Sequence, residues 1–359
     1  MLQDILGQPY AVRVLQNALT HDRLAGSYLF VGPDGVGKAT AARQFAKALC
    51  GATADTDPIA RAIEAGRSPD VRSVDPPPSR ITSIAQIWPR QGHKEHSPDN
   101  ALLRDLQFEP MSAPKRVFIL HDAEALGRGG ADAGNSLLKS LEEPPPYAHF
   151  LLTAGSIGGV MPTIVSRCQV VHFGLLPAAD IEQALVSQFE VPPAQARFLS
   201  AYCEGRLGRA VALSRSPALL AGREALLDLA CDLLTAPAIK SFKLGEDFRK
   251  LAPKMKAGED VDGVDAEGEK EKTGREPLTR ALDLLAVYVR DVLAVAVTGP
   301  ARASLVNVDR REEIVTLAVS WRPERLERVL GLILDIRQAV ERNANSQLAL
   351  EVLFTQIME

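Results

Sequence analysis

Short apolar runs alternate with longer helical patterns along the first half of the chain. The apolar runs predict buried strands at residues 27–31, 116–120, 149–153 and 170–173. Alanine- and leucine-rich segments predict helices at 38–50 and 131–143, and Pro144-Pro145-Pro146 ends the second of them. Strands that alternate with helices predict an α/β fold, with a mainly parallel sheet covered on both faces.

The second half of the chain has a helical pattern only. Strand signals stop after Phe173, and a small group of helices is expected over 177–214. Residues 257–277 contain many Gly, Glu, Asp and Lys and almost no large apolar residue, so we expect a flexible insert there. A milder irregular region covers 81–100. The predicted domains are 1–173, 174–216 and 217–359.

Composition excludes several classes of protein. The chain has 359 residues, 46% hydrophobic and 24% charged, with a net charge of −4, so its overall charge does not indicate nucleic-acid binding. The first eleven residues include Asp4 and lack the apolar core of a signal peptide. The most apolar long segment, 281–297, contains three charged residues. We therefore expect a cytoplasmic protein with no membrane partner. Its four scattered cysteines are then free thiols: Cys50, Cys168, Cys203 and Cys231.

A glycine-rich loop follows the first predicted strand and opens a helix, which is the context of a phosphate-binding loop. Its glycines allow backbone N–H groups to converge on phosphate oxygens, and a lysine adds positive charge at the helix N-terminus. The candidate phosphate-binding residues are Gly32, Gly35, Gly37, Lys38 and Thr40. Ala39 stands where a Ser or Thr hydroxyl would bind magnesium. The loop therefore predicts the fold more strongly than it predicts ATP hydrolysis.

A second motif, Val117 to Glu124, has the form of a strand that delivers acidic residues to the sheet edge. In an active NTPase the first residue after the strand is an Asp that helps to hold magnesium, and the next is a Glu that orients water. His121 and Asp122 occupy these places, and imidazole is a poor magnesium ligand. Asp122 is a candidate residue of a degenerate nucleotide site, and an ion pair is the alternative role for Asp122 and Glu124. No metal site is predicted.

Two further motifs are more specific. They are Asn135-Ser-Leu-Leu-Lys-Ser-Leu-Glu-Glu-Pro-Pro145 and Pro162-Thr-Ile-Val-Ser-Arg-Cys168. Together with the phosphate loop, they resemble the bacterial clamp-loader subunits of the AAA+ class, a family that includes the delta-prime and gamma/tau subunits. The start of the chain (5–8 and 24–30) and its end (341–354) resemble the family too, so the resemblance covers nearly the whole chain.

The resemblance implies a AAA+ P-loop domain (1–173), a small helical lid (174–216) and an all-α collar for oligomerisation (217–359). It implies a delta-prime type of subunit in the DNA polymerase III holoenzyme, a DNA-directed DNA polymerase and nucleotidyltransferase. The implied partners are gamma/tau and delta subunits, and through the assembly the sliding clamp and primed DNA in replication. Intrinsic ATPase activity is not expected. The alternative is an ATP-hydrolysing subunit of gamma/tau type.

The family also implies a role for Arg167. In the Ser-Arg-Cys motif the arginine reaches into the ATP site of a neighbouring subunit, where its permanent charge stabilises the transferred phosphoryl group. Arg167 is therefore the candidate catalytic residue, acting in trans. An ordinary surface arginine is the alternative.

Two departures from the family bear on cofactors. Cys50 matches the first ligand of a four-cysteine zinc module found in many relatives, but residues 51–70 contain no further Cys or His, so no zinc is predicted. In Glu204-Gly205-Arg206-Leu207-Gly208-Arg209, Gly208 occupies the place of a second sensor arginine and Arg209 is one position out of register. We therefore expect no required cofactor, and weak binding of ATP or ADP is the alternative left open.

Overall fold

The computed structural model describes residues 2, 5–75, 102–128, 132–235, 241–255, 276–342 and 344–358. The chain divides into two compact units. The first comprises Met1–Pro177 with Gly205–Gly208, and the second comprises Ala178–Glu204 with Arg209–Glu359. The predicted division into three domains stays a prediction.

The first unit is an α/β unit. Its elements in chain order are α1 (Pro9–Thr20), β1 (Ser27–Val31), α2 (Lys38–Leu49), α3 (Pro58–Glu64), β2 (Val71–Val74), α4 (Leu102–Asp105), β3 (Arg116–Leu120), α5 (Ala125–Arg128), α6 (Asp132–Glu142), β4 (Ala148–Ala154), α7 (Pro162–Val165) and β5 (Gln169–His172).

The described strands form one sheet in the order β2-β3-β4-β1-β5, and every pair is parallel. All five strands therefore end at one edge, the carboxyl edge, and begin at the opposite amino edge. In open parallel sheets, ligands bind outside the carboxyl edge, where the order of the strands reverses. The loops after β1, β3 and β4 meet at this edge.

Both faces of the sheet are buried, which explains why most residues of its central strands are apolar. Side chains alternate along β1, so that Tyr28 and Phe30 pack against α1 and α2, while Leu29 faces the opposite layer with α6. The ring of Tyr28 meets Phe45 of α2 edge-on, with 5.1 Å between centroids. On the other face, Phe118 and Phe150 stack across β3 and β4.

The described part of the second unit is helical. Its elements are α8 (Ala178–Phe189), α9 (Pro193–Tyr202), α10 (Leu207–Ser214, of which Leu207 and Gly208 belong to the first unit), α11 (Pro217–Thr235), α12 (Ser241–Leu251), α13 (Glu276–Thr298), α14 (Arg311–Ser320), α15 (Pro323–Glu341) and α16 (Ser346–Met358). In this unit α13 packs against α15, α14 and α11, and α12 packs against α16. No helix among the described residues combines the length and the apolar character needed to cross a membrane.

A buried polar network links three parts of the second unit. The Asp291 carboxylate is completely buried in α13 and accepts hydrogen bonds from the backbone N–H groups of Val306 and Asn307 and from the Asn307 side chain. Arg223 of α11 donates to the Asn307 side chain at 2.8 Å and to both carboxylate oxygens of Asp309. The loop before α14 is therefore held by α11 and α13 together.

The fold class predicted from the sequence is confirmed: a parallel α/β sheet precedes a helical second half. The four predicted strands lie within one residue of β1, β3, β4 and β5. The fifth strand, β2, was not predicted. It lies at the sheet edge and carries the polar residues Arg72 and Ser73, so it lacks a buried-strand pattern. The irregular region 81–100 lies outside the described residues, as does the proposed insert except for residues 276 and 277, which begin α13.

Candidate functional site

The phosphate loop connects β1 to α2 at the carboxyl edge. Gly35 and Gly37 have φ values of 79° and 100°, in the left-handed region that favours glycine. Gly32 is required for a different reason: a Cβ atom there would lie 2.2 Å from the carbonyl oxygen of Phe173. Its N–H donates to the carbonyl of Ala154, which ties the loop to the end of β4. The backbone therefore has the conformation expected of a phosphate-binding loop.

Lys38 is buried and bonded to its own loop. Its ammonium group donates to the carbonyl oxygens of Gly32 and Pro33 and to the Asp34 carboxylate at 3.2 Å. An ammonium group has three donors, so this set can satisfy all of them. The next residue, Ala39, offers no hydroxyl, and Thr40 is exposed on the first turn of α2. A phosphate would have to compete with the loop's own oxygens for Lys38.

A second contact closes the loop from the turn at 205–208. The N–H of Gly208 donates to the carbonyl of Gly35 at 2.7 Å. A Cβ atom on Gly208 would lie 3.1 Å from that same oxygen. The position that the resemblance assigns to a sensor arginine is therefore filled by backbone packed on the phosphate loop. Arg209 lies over the ring of Tyr202, 5.2 Å from its centroid.

The end of β4 also positions the second acidic motif, which follows β3. The N–H of Ala123 donates to the carbonyl of Thr153, and the N–H of Asp122 donates to the Thr153 hydroxyl. His121 turns toward the edge strand, where its Nε2 lies 3.0 Å from the hydroxyl of Ser73. The phosphate loop and the acidic motif are thus held by consecutive residues of β4.

The carboxylates of the acidic motif are paired with an arginine that the sequence analysis missed. Arg128 of α5 donates to both oxygens of Asp122, at 2.8 and 3.3 Å, and to Glu124 at 3.0 Å. Glu124 also accepts from the backbone N–H of Ser156, after β4. Arg128 follows Glu124 by four residues, the helical spacing of an ion pair, and this spacing is the signal that could have identified it. The acidic motif therefore forms an internal ion pair with a cation of this chain.

Arg167 follows the short helix α7 and is paired with the end of α6. Its Nε and Nη2 both donate to one carboxylate oxygen of Glu142, at 3.0 and 2.9 Å, and Nη1 donates to the carbonyl of Thr163. The Arg167 side chain is 29% exposed and that of Glu142 is 58% exposed. Arg167 was predicted from its motif, whereas Glu142 was not.

Arg167 lies at the opposite edge of the sheet from the phosphate loop. It precedes β5 by two residues, and Gln169, which begins β5, pairs with Tyr28 near the start of β1. The five residues of β1 separate the two edges by about 16 Å. An arginine at the amino edge cannot serve the nucleotide site of its own chain.

Cys50 lies in the core rather than in a ligand cluster. Its thiol is fully buried, and burial raises its pKa to about 12. Its Sγ donates weakly to the carbonyl of Lys115 at 3.6 Å. In the part of the chain that the structure describes, no group of three or more His, Cys, Asp or Glu residues is placed to hold a metal ion.

The fold and the site together define an α/β protein with a P-loop-type loop at the carboxyl edge of a parallel sheet and an acidic motif held in an internal ion pair. The family model for the DNA polymerase III delta subunit matches residues 7–176. The delta-prime subunit of Bacillus subtilis is 27% identical over 98% of this chain and 96% of its own length. The chain is similar to clamp-loader subunits of DNA polymerase III, and its similarity to a delta-prime subunit extends over nearly the full length of both proteins.

Other relatives match less completely. The tau subunit of Bacillus subtilis is 24% identical over 99% of this chain, which spans 61% of that protein. The tau subunit of Escherichia coli is 34% identical over 50% of this chain and 26% of its own length. A gamma subunit-related protein from Thermotoga maritima, known from its crystal structure, is 16% identical, with a TM-score of 0.44 over 96% of this chain and 98% of that one.

Proposed function

We propose that this chain is a delta-prime subunit of a DNA polymerase III clamp loader, does not hydrolyse ATP itself, and contributes Arg167 to the ATP site of a neighbouring gamma/tau subunit. Its proposed partners are gamma/tau and delta subunits, and through the assembly the sliding clamp and primed DNA. Contacts to DNA are proposed to involve the phosphate backbone, independently of sequence.

The observation that carries the loss of hydrolysis is the ion pair of Arg128 with Asp122 and Glu124. A catalytic magnesium needs oxygen ligands, and a general base needs an available carboxylate. Here one guanidinium binds both carboxylates of the acidic motif. Ala39 and His121 stand at positions where a hydroxyl and a carboxylate would bind magnesium in an active NTPase. Together with the ion pair, these two residues oppose a productive metal site.

The position of Arg167 supports a role in trans. The side chain is partly exposed and lies at the sheet edge opposite its own phosphate loop, so a phosphate that it contacts must belong to another chain. A guanidinium is permanently charged and can form two parallel hydrogen bonds with phosphate oxygens. These are the properties that an arginine needs to stabilise charge on a transferred phosphoryl group.

Nucleotide binding without turnover is part of the proposal. The loop glycines and Lys38 are present, but phosphate must displace the three oxygens that Lys38 now contacts. We expect weak ATP or ADP binding that changes little when EDTA replaces magnesium. Calorimetric titration of the isolated chain measures both affinities, and strong magnesium-dependent binding would contradict this part. We also propose that no zinc is needed, because Cys50 is packed in the core.

The test is steady-state ATP hydrolysis by the purified chain alone, and then with gamma/tau, delta, the clamp and primed DNA. We expect no turnover alone and a rate in the mixture that falls at least tenfold with Arg167→Ala. Arg67→Ala, which changes an exposed arginine of the same unit, is the matched control. An unchanged rate with Arg167→Ala would remove the role of this arginine.

A gamma/tau-type ATPase is the second candidate, favoured by the intact loop glycines and Lys38 and by the similarity to tau over 99% of this chain. It predicts magnesium-dependent turnover by the chain alone, abolished by Lys38→Ala. That result would show that Arg128 releases the acidic motif when magnesium and ATP bind.

A further inference from the structure

Glu142 and Arg167 form a hydrogen-bonded ion pair at the amino edge of the sheet. One carboxylate oxygen of Glu142 accepts from Nε and Nη2, along one side of the guanidinium, and the carbonyl of Thr163 accepts from Nη1. A guanidinium has five N–H donors in a fixed plane. Three contacts from two directions therefore define where this plane lies, although the side chain that carries it is long and partly exposed.

Both sides of the contact rest on buried structure. Glu142 ends α6, and the preceding residue Leu141 is buried while its carbonyl accepts from the hydroxyl of Ser27, at the start of β1. On the other side, α7 is anchored by Ile164, which is fully buried. The backbone that carries each partner of Arg167 is thus anchored to the sheet, which restricts where the contact can form.

Glu142 binds Nε and one N–H of Nη2, so the second N–H of Nη2 is left for an incoming anion, and Nη1 can join it by exchanging its contacts with the Thr163 carbonyl and the Ser166 hydroxyl. An exposed arginine loses considerable rotamer freedom when it is ordered at a phosphate. A partner that already orders the side chain reduces this loss in the assembled state. A carboxylate also keeps the guanidinium hydrogen-bonded along one side while the other end engages phosphate.

We propose that Glu142 is a positioning residue for Arg167. It orders the guanidinium at the amino edge so that the arginine reaches a neighbouring subunit's phosphate in one defined orientation. This inference rests on the proposed role of Arg167 in trans. Glu142 itself contacts no nucleotide in this proposal, so its removal should change the rate of the chemical step and leave the affinity of the neighbour for ATP unchanged.

The experiment compares Glu142→Ala, Glu142→Gln, Arg167→Ala and the double variant in the assembled loader, with kcat and KM for ATP measured in the presence of clamp and primed DNA. Glu143→Gln is the matched control, because Glu143 is the adjacent exposed glutamate. Glu142→Ala should lower kcat about three- to tenfold at unchanged KM, which corresponds to ordering one long side chain. Glu142→Gln, which keeps one accepting oxygen, should restore part of the rate. In the Arg167→Ala background Glu142→Ala should have no further effect.

A second readout uses the isolated chain. The Nε–H of Arg167, observed by 15N NMR, should exchange slowly with water in the wild type and in Glu143→Gln, and rapidly in Glu142→Ala. This signal reports the contact whether or not the loader turns over. A lost NMR signal with unchanged kcat would overturn the positioning role while the proposed function stands. An increase of kcat in Glu142→Ala would overturn it as well, because Glu142 would then restrain Arg167. An unaffected rate in Arg167→Ala would overturn the proposed function, and the positioning role with it.

Discussion

Replacement of Asp291 tests whether the buried network stabilises the helical unit. Asp291 is 0% exposed and accepts from the N–H groups of Val306 and Asn307 and from the Asn307 side chain, at 2.8 to 3.2 Å. Asp291→Ala removes the acceptor of three buried donors and also of the exposed Arg290 guanidinium, whose Nη2 donates to Oδ1 at 2.6 Å. Asp291→Asn keeps the shape and one accepting oxygen.

The magnitude follows from these three donors. A buried donor that loses its partner costs about 1–3 kcal/mol, and breaking a buried charged contact costs about 3–5 kcal/mol. Water that enters the space left by the carboxylate offsets part of the sum. We therefore expect Asp291→Ala to lower the free energy of unfolding of the helical unit by about 3–5 kcal/mol and Asp291→Asn by about 1–3 kcal/mol.

The assay is urea unfolding followed by tryptophan fluorescence. The chain has two tryptophans, Trp88 and Trp321, so a Trp88→Phe background leaves Trp321 as the single reporter. Trp321 belongs to the helical unit, where its indole N–H donates to the carbonyl of Leu234 at 2.8 Å. Asp335→Ala, at an exposed position of α15, is the control and should change the stability by less than about 0.5 kcal/mol. A loss below about 1 kcal/mol for Asp291→Ala would refute the reasoning, because the donors would then have found other partners at little cost.

Three further predictions concern stability and reactivity. Gly32→Ala should lower the free energy of unfolding of the α/β unit by about 1–3 kcal/mol, because its Cβ would overlap the Phe173 carbonyl; urea unfolding followed by circular dichroism measures this, since Trp321 lies in the other unit. Gly331→Ala, in open space on α15, should stabilise the helical unit by about 0.5–1 kcal/mol in the Trp321 titration. Burial lowers the pKa of the His149 imidazole, so below the ordinary histidine pKa the unfolded state binds a proton that the folded state does not bind. The free energy of unfolding should therefore be constant above about pH 7 and decrease as the pH falls through 6.5, by at most about 1.4 kcal/mol per pH unit. His149→Phe should reduce this dependence on pH. Cys50 is fully buried and burial raises the pKa of its thiol to about 12, so iodoacetamide at pH 8 should modify Cys50 only at the rate of unfolding, and rapid labelling of Cys50 in the native chain, located by peptide mass spectrometry, would contradict this.

Strands at the centre of the sheet could be predicted because their consecutive residues are buried and mostly apolar. Each side chain of β1, β3 and β4 is buried, so a continuous apolar run identifies the strand. The edge strand β2 has no such run, because its side chains are only partly covered. β5 lies at the other edge and was still predicted, because Val170 and Val171 belong to an apolar run, so an edge strand is missed where its own residues are polar.

The site was predictable where a motif fixes backbone conformation and less so where side chains meet across the fold. The spacing of Gly32, Gly35 and Gly37 predicted a loop that the structure contains. Arg167 and Glu142 are 25 positions apart, so their pairing could not be predicted from residue spacing or composition. A family resemblance identifies the arginine, but only the packing of α6 against α7 identifies its partner.

The order of the strands has a consequence for synthesis of the chain. Strand β1 lies between β4 and β5, so its first residue, Ser27, pairs with Phe150 about 120 residues later. A ribosome that adds about 5–20 residues per second completes that distance in roughly 6–24 s. During this time Tyr28, Leu29 and Phe30 have neither neighbouring strand, and an unpaired apolar strand is prone to aggregate. The nascent chain therefore exposes an unpaired apolar strand until β4 and β5 have been synthesised.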